Sequence, residues 1–315
     1  MVAARDVAYV RFSAPDVEEA LQFLADFGLR VSARENGLTY LRVAGEAHHT
    51  YVLSEGPPLF LGFGLKVEDR SDLEELSRSS LGGEIEKMDE PGGGERVVLT
   101  DPDGYRVEIV HGIQTVAPLP MRAPVPVNTT HERRRFSTTV RPPLGPTEMK
   151  RVGHVGLVVT SIERSTEWYG ELLAMIPTDS VLVGEPKHKV VSFVRCGYPG
   201  VYSDHHALAL FRGERANFGH VAFETQDFDA VFGGHDYLAG RGWRPAWGPG
   251  RHELGSQLFD YWMDPWGRLV EHFADSDLFL PGDPPSEYGP DQTRSAWWGP
   301  QATMSPDGSG PPPAH

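Results

Sequence analysis

Ten residues, DPDGYRVEIV (Asp101 to Val110), return farther along the chain as DPWGRLVEHF (Asp264 to Phe273), and a duplicated stretch constrains a fold more tightly than composition does. In each copy Asp-Pro-x-Gly makes a turn in which Pro and Gly restrict φ, and the turn feeds a strand whose alternate residues face opposite sides. Both strands carry a glutamate at the same place, Glu108 and Glu271. The chain has 315 residues. One typical domain takes roughly 150, so the spacing of the two copies implies a duplicated domain.

A smaller unit repeats inside each half. Four short apolar stretches look alike: AYVRF (Ala8 to Phe12), GFGLK (Gly62 to Lys66), GHVGL (Gly153 to Leu157) and GHVAF (Gly219 to Phe223). An amphipathic run follows each. Asp16 is placed to cap the first, with Val17, Leu21, Leu24 and Phe27 at helical spacing. Ser71 with Glu74, and Thr160 with Glu163, have capping-box spacing for the second and third, and QDFDAVFGGHDYLAGRGW supplies the fourth. Short β-rich runs such as KVVSFVRC and QLFDYWMD come next, bounded by glycine and proline. The unit is therefore strand, helix, then several strands, used four times in an α+β protein.

This divides the chain into an N-terminal domain (1–118), a linker (119–149) rich in proline and polar residues, a C-terminal domain (150–280) and a tail (281–315). The linker is long enough to pack on the domains. The last dozen residues of the tail are expected to be mobile, while Trp297 and Trp298 indicate that its earlier part docks.

Composition removes several function classes. Hydrophobic residues make up 39% and charged residues 23%, with no apolar run near the roughly 20 residues of a membrane helix. MVAARDVAYV has no secretory h-region, and Cys196 is the single cysteine, so no intrachain disulfide forms and a reducing cytoplasm is the expected location. A formal charge of −15 argues against nucleic acid, and Arg133 to Arg135 read as a solvated linker turn.

The second positions of the four opening strands are Tyr9, Phe63, His154 and His220. If sister strands lie side by side, His154, His220 and Glu271 converge in the C-terminal half. Two imidazoles and one carboxylate on one face of a divalent ion leave its other positions open for substrate and dioxygen. The N-terminal set of Tyr9, Phe63 and Glu108 cannot hold such an ion.

With GHVGL, GHVAFE and DPWGRLVEHF, the sequence resembles the vicinal oxygen chelate superfamily, and within it the two-domain type I extradiol catechol dioxygenases, over about residues 5–280. The resemblance implies four βαβββ modules in two tandem domains, each an open, cup-like mixed β-barrel with outer helices. It also implies Fe(II), with Mn(II) less favoured, in the C-terminal domain and lost ligands in the N-terminal one. The family's histidine in an HH-x-[LI]-A pattern corresponds to His206 in DHHALAL, with His205 outside the cavity. The family's histidine and tyrosine upstream of the ligand glutamate correspond to His252 and Tyr261.

The implied function is extradiol cleavage of a small catechol with incorporation of both atoms of O2, giving a muconic semialdehyde-type product. His206 would act as the acid–base group, with His252 and Tyr261 orienting the substrate. The enzyme would be a homo-oligomer without membrane or nucleic-acid partners. Gly156, which would leave room in the pocket, and Phe193, Tyr198 and Trp247, as aromatic walls, suit a hydrophobic or substituted catechol. His48, His49, His188, His235 and His272 fit no position of the pattern and are expected to be surface or structural. Another metal-dependent isomerase or lyase of the superfamily, or a non-catalytic binding protein, would share the triad without needing His206, His252 and Tyr261.

Overall fold

Each of the four amphipathic runs forms a helix in the computed structural model, which describes residues 2–301. The expectation for the last dozen residues falls outside that range. The first module contains β1 (Asp6–Ala14), α1 (Val17–Phe27), β2 (Arg30–Glu35), β3 (Leu38–Arg42) and β4 (Tyr51–Glu55), and the second β5 (Phe60–Lys66), α2 (Arg70–Arg78), β6 (Ile85–Lys87), β7 (Glu95–Thr100) and β8 (Arg106–His111). The third contains β9 (Met149–Val159), α3 (Ile162–Leu173), β10 (Ile176–Val183), β11 (His188–Arg195), β12 (Ser203–Asp204) and β13 (Leu208–Arg212). The fourth contains β14 (Asn217–Thr225), α4 (Phe228–Gly240), β15 (Arg244–Arg251), β16 (Leu258–Met263) and β17 (Leu269–Ala274), and β18 (Leu278–Phe279) and β19 (Ser286–Tyr288) follow.

Asp16 caps α1 as its sequence implies, its side chain accepting from the Glu19 amide. The other two caps are shifted from expectation. α2 starts at Asp69, whose amide donates to Asp72 at 3.4 Å, while Glu74 pairs with Arg70. α3 is capped by Ser161, and Thr160 bonds Asp103 in the other half. Hydroxyl and acidic residues crowd both helix starts, so composition locates the helix but not which residue takes the cap.

The strands form two large mixed sheets, ordered β2-β3-β4-β1-β5-β8-β7-β6 and β15-β16-β17-β14-β9-β13-β11-β10-β19. Each is the α+β arrangement of paired modules. Sister opening strands are central and antiparallel, β1 with β5 and β9 with β14. The edge strand β19 lies in the segment that the sequence suggested was tail; its three residues are too few to show alternation.

The duplicated decapeptide folds the same way twice. Asp101 Oδ1 accepts from the amides of Asp103 and Tyr105, and Asp264 Oδ1 from those of Trp266 and Arg268. Gly104 (φ +89°) and Gly267 (φ +83°) take the left-handed conformation that the turn requires. Each turn then reaches into the opposite half: the Tyr169 hydroxyl donates to Asp101, and Arg268 to the Ser13 carbonyl. A single apolar cluster runs from Phe12 and Phe63 through Val155 to Phe223, so the halves share a core.

The 119–149 segment contains no helix or strand before β9 and lies against both halves, Leu119 bonding Ala44 and Arg122 pairing with Asp227. Arg133 to Arg135 form a surface turn around Asn128, as expected. Among the described residues, no helix is long and apolar enough to cross a membrane.

Candidate metal centre

Strand register sets the site. Across β9, β14, β17, β16 and β15, the residues His154, Ala222, Glu271, Tyr261 and Trp247 stand opposite one another in a single row. Directly opposed residues share a face of the sheet. Ala222 projects only a methyl between His154 and Glu271, and His220, two residues back on β14, shares its face. His220 is paired with Gly156, where a methyl would lie 2.3 Å from the His220 Nδ1. Gly156 therefore makes room for the His220 imidazole.

The three side chains meet. His154 Nε2 lies 3.1 Å from both His220 Nε2 and Glu271 Oε2, and His220 Nε2 lies 3.5 Å from Glu271 Oε2. Neighbouring ligands of an octahedral ion with bonds of about 2.1 Å are separated by about 3 Å, so these distances suit one face of such an ion. The residues are 1%, 5% and 0% exposed. Burial holds His154 and His220 down to about 3, leaving their lone pairs free near neutrality, and pushes Glu271 up. Glu271 Oε1 and His154 Nδ1 have no hydrogen-bond partner. A buried carboxylate facing two neutral imidazoles is costly without a cation, so the donor set fits a divalent metal.

His206 is buried beside the cluster, its ring centroid 4.1 Å from that of His154 and 4.9 Å from that of Phe193. His252 Nε2 lies 3.2 Å from the Tyr261 hydroxyl, and the Tyr261 ring stands 5.3 Å from those of both His220 and Trp247. Burial lowers His206 and His252, while burial together with Glu271 raises Tyr261. Tyr198 is elsewhere: it lies under the Arg5 guanidinium, 4.9 Å away, and makes no ring contact with the cluster among the described residues. A cleft of about 410 Å³ between the halves reaches His206 but none of the triad.

Two features escaped the sequence reading. The tail closes over one side of the site: the Ser295 carbonyl lies 2.9 Å from His252 Nδ1, the Pro300 carbonyl accepts from Trp247 at 2.7 Å, and Trp298 bridges Arg251. The tryptophan pair hinted at this docking, but nothing in the sequence identified its surface. His205, expected outside the cavity, is fully buried, its Nδ1 2.9 Å from that of His206. Residues 205–207 form no strand, so the alternation that would turn adjacent side chains to opposite faces does not apply there. His272 Nε2 donates to the Phe27 carbonyl while its ring stacks on Phe27, His235 bonds Asp260, and His188 is exposed.

The N-terminal copy shows what replaces a cation. Register aligns Tyr9 with His154 and Glu108 with Glu271, but at the position equivalent to His220 it places Gly62, not Phe63, which faces the core. Arg11 stands where the other half has Gly156. Its Nε approaches Glu108 at 2.9 Å, with Arg96, Arg106 and the Tyr9 hydroxyl also on that carboxylate. Guanidinium groups and a phenol satisfy a glutamate that, in the C-terminal half, has only imidazoles and a tyrosine nearby.

The sequence profile described as "Glyoxalase/Bleomycin resistance protein/Dioxygenase superfamily" matches residues 151–272. "Metapyrocatechase 2" of Cupriavidus necator is 27% identical over 298 residues, 94% of this chain and 89% of that protein. A "Manganese-dependent 2,3-dihydroxybiphenyl 1,2-dioxygenase" of Geobacillus genomosp. 3 is 22% identical, with 95% of both chains covered. Among solved structures, the Mn(II)-bound glyoxalase of Novosphingobium aromaticivorans superimposes with a TM-score of 0.79 at 21% identity, covering 100% of this chain and 96% of that one. Homoprotocatechuate 2,3-dioxygenase of Brevibacterium fuscum, with 3,4-dihydroxyphenylacetate, gives 0.77 at 22%, covering 95% and 90%. At those identities the structures establish likeness of fold.

Proposed function

We propose, from the match of residues 151–272 to the glyoxalase/bleomycin resistance protein/dioxygenase profile and the likeness to a metapyrocatechase over most of the chain, that this is an extradiol catechol dioxygenase with its catalytic centre in the C-terminal half. The observation that carries this reading is the surrounding of the His154–His220–Glu271 cluster by His206 on one side and the His252–Tyr261 pair on another. An isomerase or lyase using the same metal would need no such set.

A divalent ion held by the three residues would supply Lewis acidity and open positions for catechol oxygens and dioxygen. Fe(II) is the proposed ion, with Mn(II) as the competitor that the same donors accept. His252 and Tyr261 orient the catechol by hydrogen bonding its hydroxyl groups. The raised Tyr261 stays a phenol, so it donates at neutral pH. Its proton lets it hold a catecholate oxygen without competing for the cation.

His206 moves the proton. Burial keeps it neutral in the resting site, so it can accept a hydrogen from the substrate and return it once the ring bond beside the two hydroxylated carbons breaks. Both atoms of O2 enter the product, a muconic semialdehyde or its ketone equivalent. Trp247 and Phe193 present aromatic surface beside these groups, suiting a hydrophobic or substituted catechol.

The test is anaerobic loading with Fe(II) or Mn(II), then oxygen uptake with a panel of catechols. One O2 consumed per yellow product formed supports the reading. Loaded protein that consumes no oxygen with any catechol contradicts it.

A further inference from the structure

Resting on the dioxygenase reading, we propose that Asp179 and His205 are positioning residues that set the tautomer of His206. Asp179, on β10, is 8% exposed and its Oδ2 lies 2.8 Å from His205 Nε2; His205 Nδ1 in turn lies 2.9 Å from His206 Nδ1. An ionised carboxylate only accepts, so His205 carries its hydrogen on Nε2. With the Nε2–H of His205 engaged by Asp179, the relay assigns the short Nδ1–Nδ1 approach to a hydrogen bond donated by His206 and accepted by His205. This leaves His206 Nε2, on the far side of its ring from His205, as a free lone pair.

That lone pair is what a proton acceptor for catechol needs. When the substrate O–H breaks and an N–H forms on Nε2, the His206 imidazolium already donates its other hydrogen to an acceptor backed by a carboxylate. The proton is returned when product oxygen needs it, so the chain of groups ends in its starting state. Several contacts fix His205 in this orientation. The Asp277 carbonyl accepts its amide, the Thr178 hydroxyl donates to its carbonyl, and Phe193 and Phe279 flank its ring.

The duplicated half supplies an internal comparison. The pairings Val10–Tyr51 and Val155–Leu208 align His48 and His49 with His205 and His206. The first pair faces Nδ1 to Nδ1 in the same way, at 3.3 Å. Opposite Tyr40 and Phe193, however, the N-terminal half has Ala33 where the C-terminal half has Asp179, and His49 Nε2 is buried without a partner. Both halves fold with a histidine pair; only the half with the metal-ligand set has the carboxylate.

Two readouts on the full-length chain test this. In protein with ¹⁵N-labelled imidazoles and no added metal, His206, assigned by its loss in His206→Phe, should be the Nδ1–H tautomer, and Asp179→Ala should shift it toward the other form. With Fe(II) loaded, Asp179→Ala should lower kcat about 10- to 100-fold, leave metal content and catechol KM within about twofold, and cost nothing further in a His206→Phe background. Asp179→Asn, which keeps the volume, replaces Asp179→Ala if that variant does not fold. An unchanged His206 tautomer, or the same loss of rate with His206 absent, overturns the proposal. Wild-type protein that cleaves no catechol would overturn the dioxygenase reading instead, while the tautomer spectrum still decides the relay.

Discussion

Gly156 and His220 are packed so closely that a methyl on the glycine would come within 2.3 Å of the imidazole Nδ1. The glycine has no donor atom, yet it fixes where a candidate ligand stands. Gly156→Ala should therefore weaken divalent metal binding about 10- to 100-fold, the size of effect that misplaced support for a ligand produces. Isothermal titration with Mn(II) checks this; unchanged affinity would mean that His220 does not need that space.

His206 should separate chemistry from binding. His206→Phe is expected to keep metal and anaerobic catechol binding while lowering turnover on the order of 10²- to 10⁴-fold, the range of general acid–base contributions. Comparing metal content, substrate-bound spectra and kcat in one preparation checks it.

The tail should matter through His252. Because the Ser295 and Pro300 carbonyls meet His252 and Trp247, a chain ending at residue 294 should retain metal but show a several-fold higher catechol KM. Steady-state kinetics beside metal analysis tests it. A KM equal to that of the full chain would make the tail a bystander.

Acid should destabilise the N-terminal half through His49. Burial holds this imidazole down to about 3, with His48 and Arg11 adding repulsion, whereas in the unfolded chain it titrates near 6.5. A depressed folded-state value gives stability that is present above 6.5 and lost as pH falls toward 3, at up to about 1.4 kcal/mol per pH unit. Between pH 6.5 and 4.5, His49→Phe should unfold in urea with a shallower pH dependence than the parent.

How much of this was legible in the sequence depended on how tightly each feature is tied to backbone register. The duplicated Asp-Pro-x-Gly turns and Glu271 were readable because turn chemistry fixes them locally. The meeting of His154, His220 and Glu271 followed from pairing sister strands. One-residue slips were not readable: Gly62 rather than Phe63 opposes Arg11, because sequence likeness between GFGLK and GHVAF does not reveal strand register. The buried His205 and its carboxylate were hidden for a related reason. Asp179 sits past a β-bulge in β10, and its partner lies on a connection where alternation no longer predicts facing. The imidazole beside Gly156 was not readable either, because only the structure shows which ring fills that space.

The central claim is that His154, His220 and Glu271 together hold one divalent ion, and equilibrium dialysis against Mn(II) tests it most directly. The wild-type chain should bind one tight ion, and Glu271→Ala, folded to the same extent by circular dichroism, should bind none. Undiminished tight binding by that variant, or no tight site in the wild type, would contradict the account.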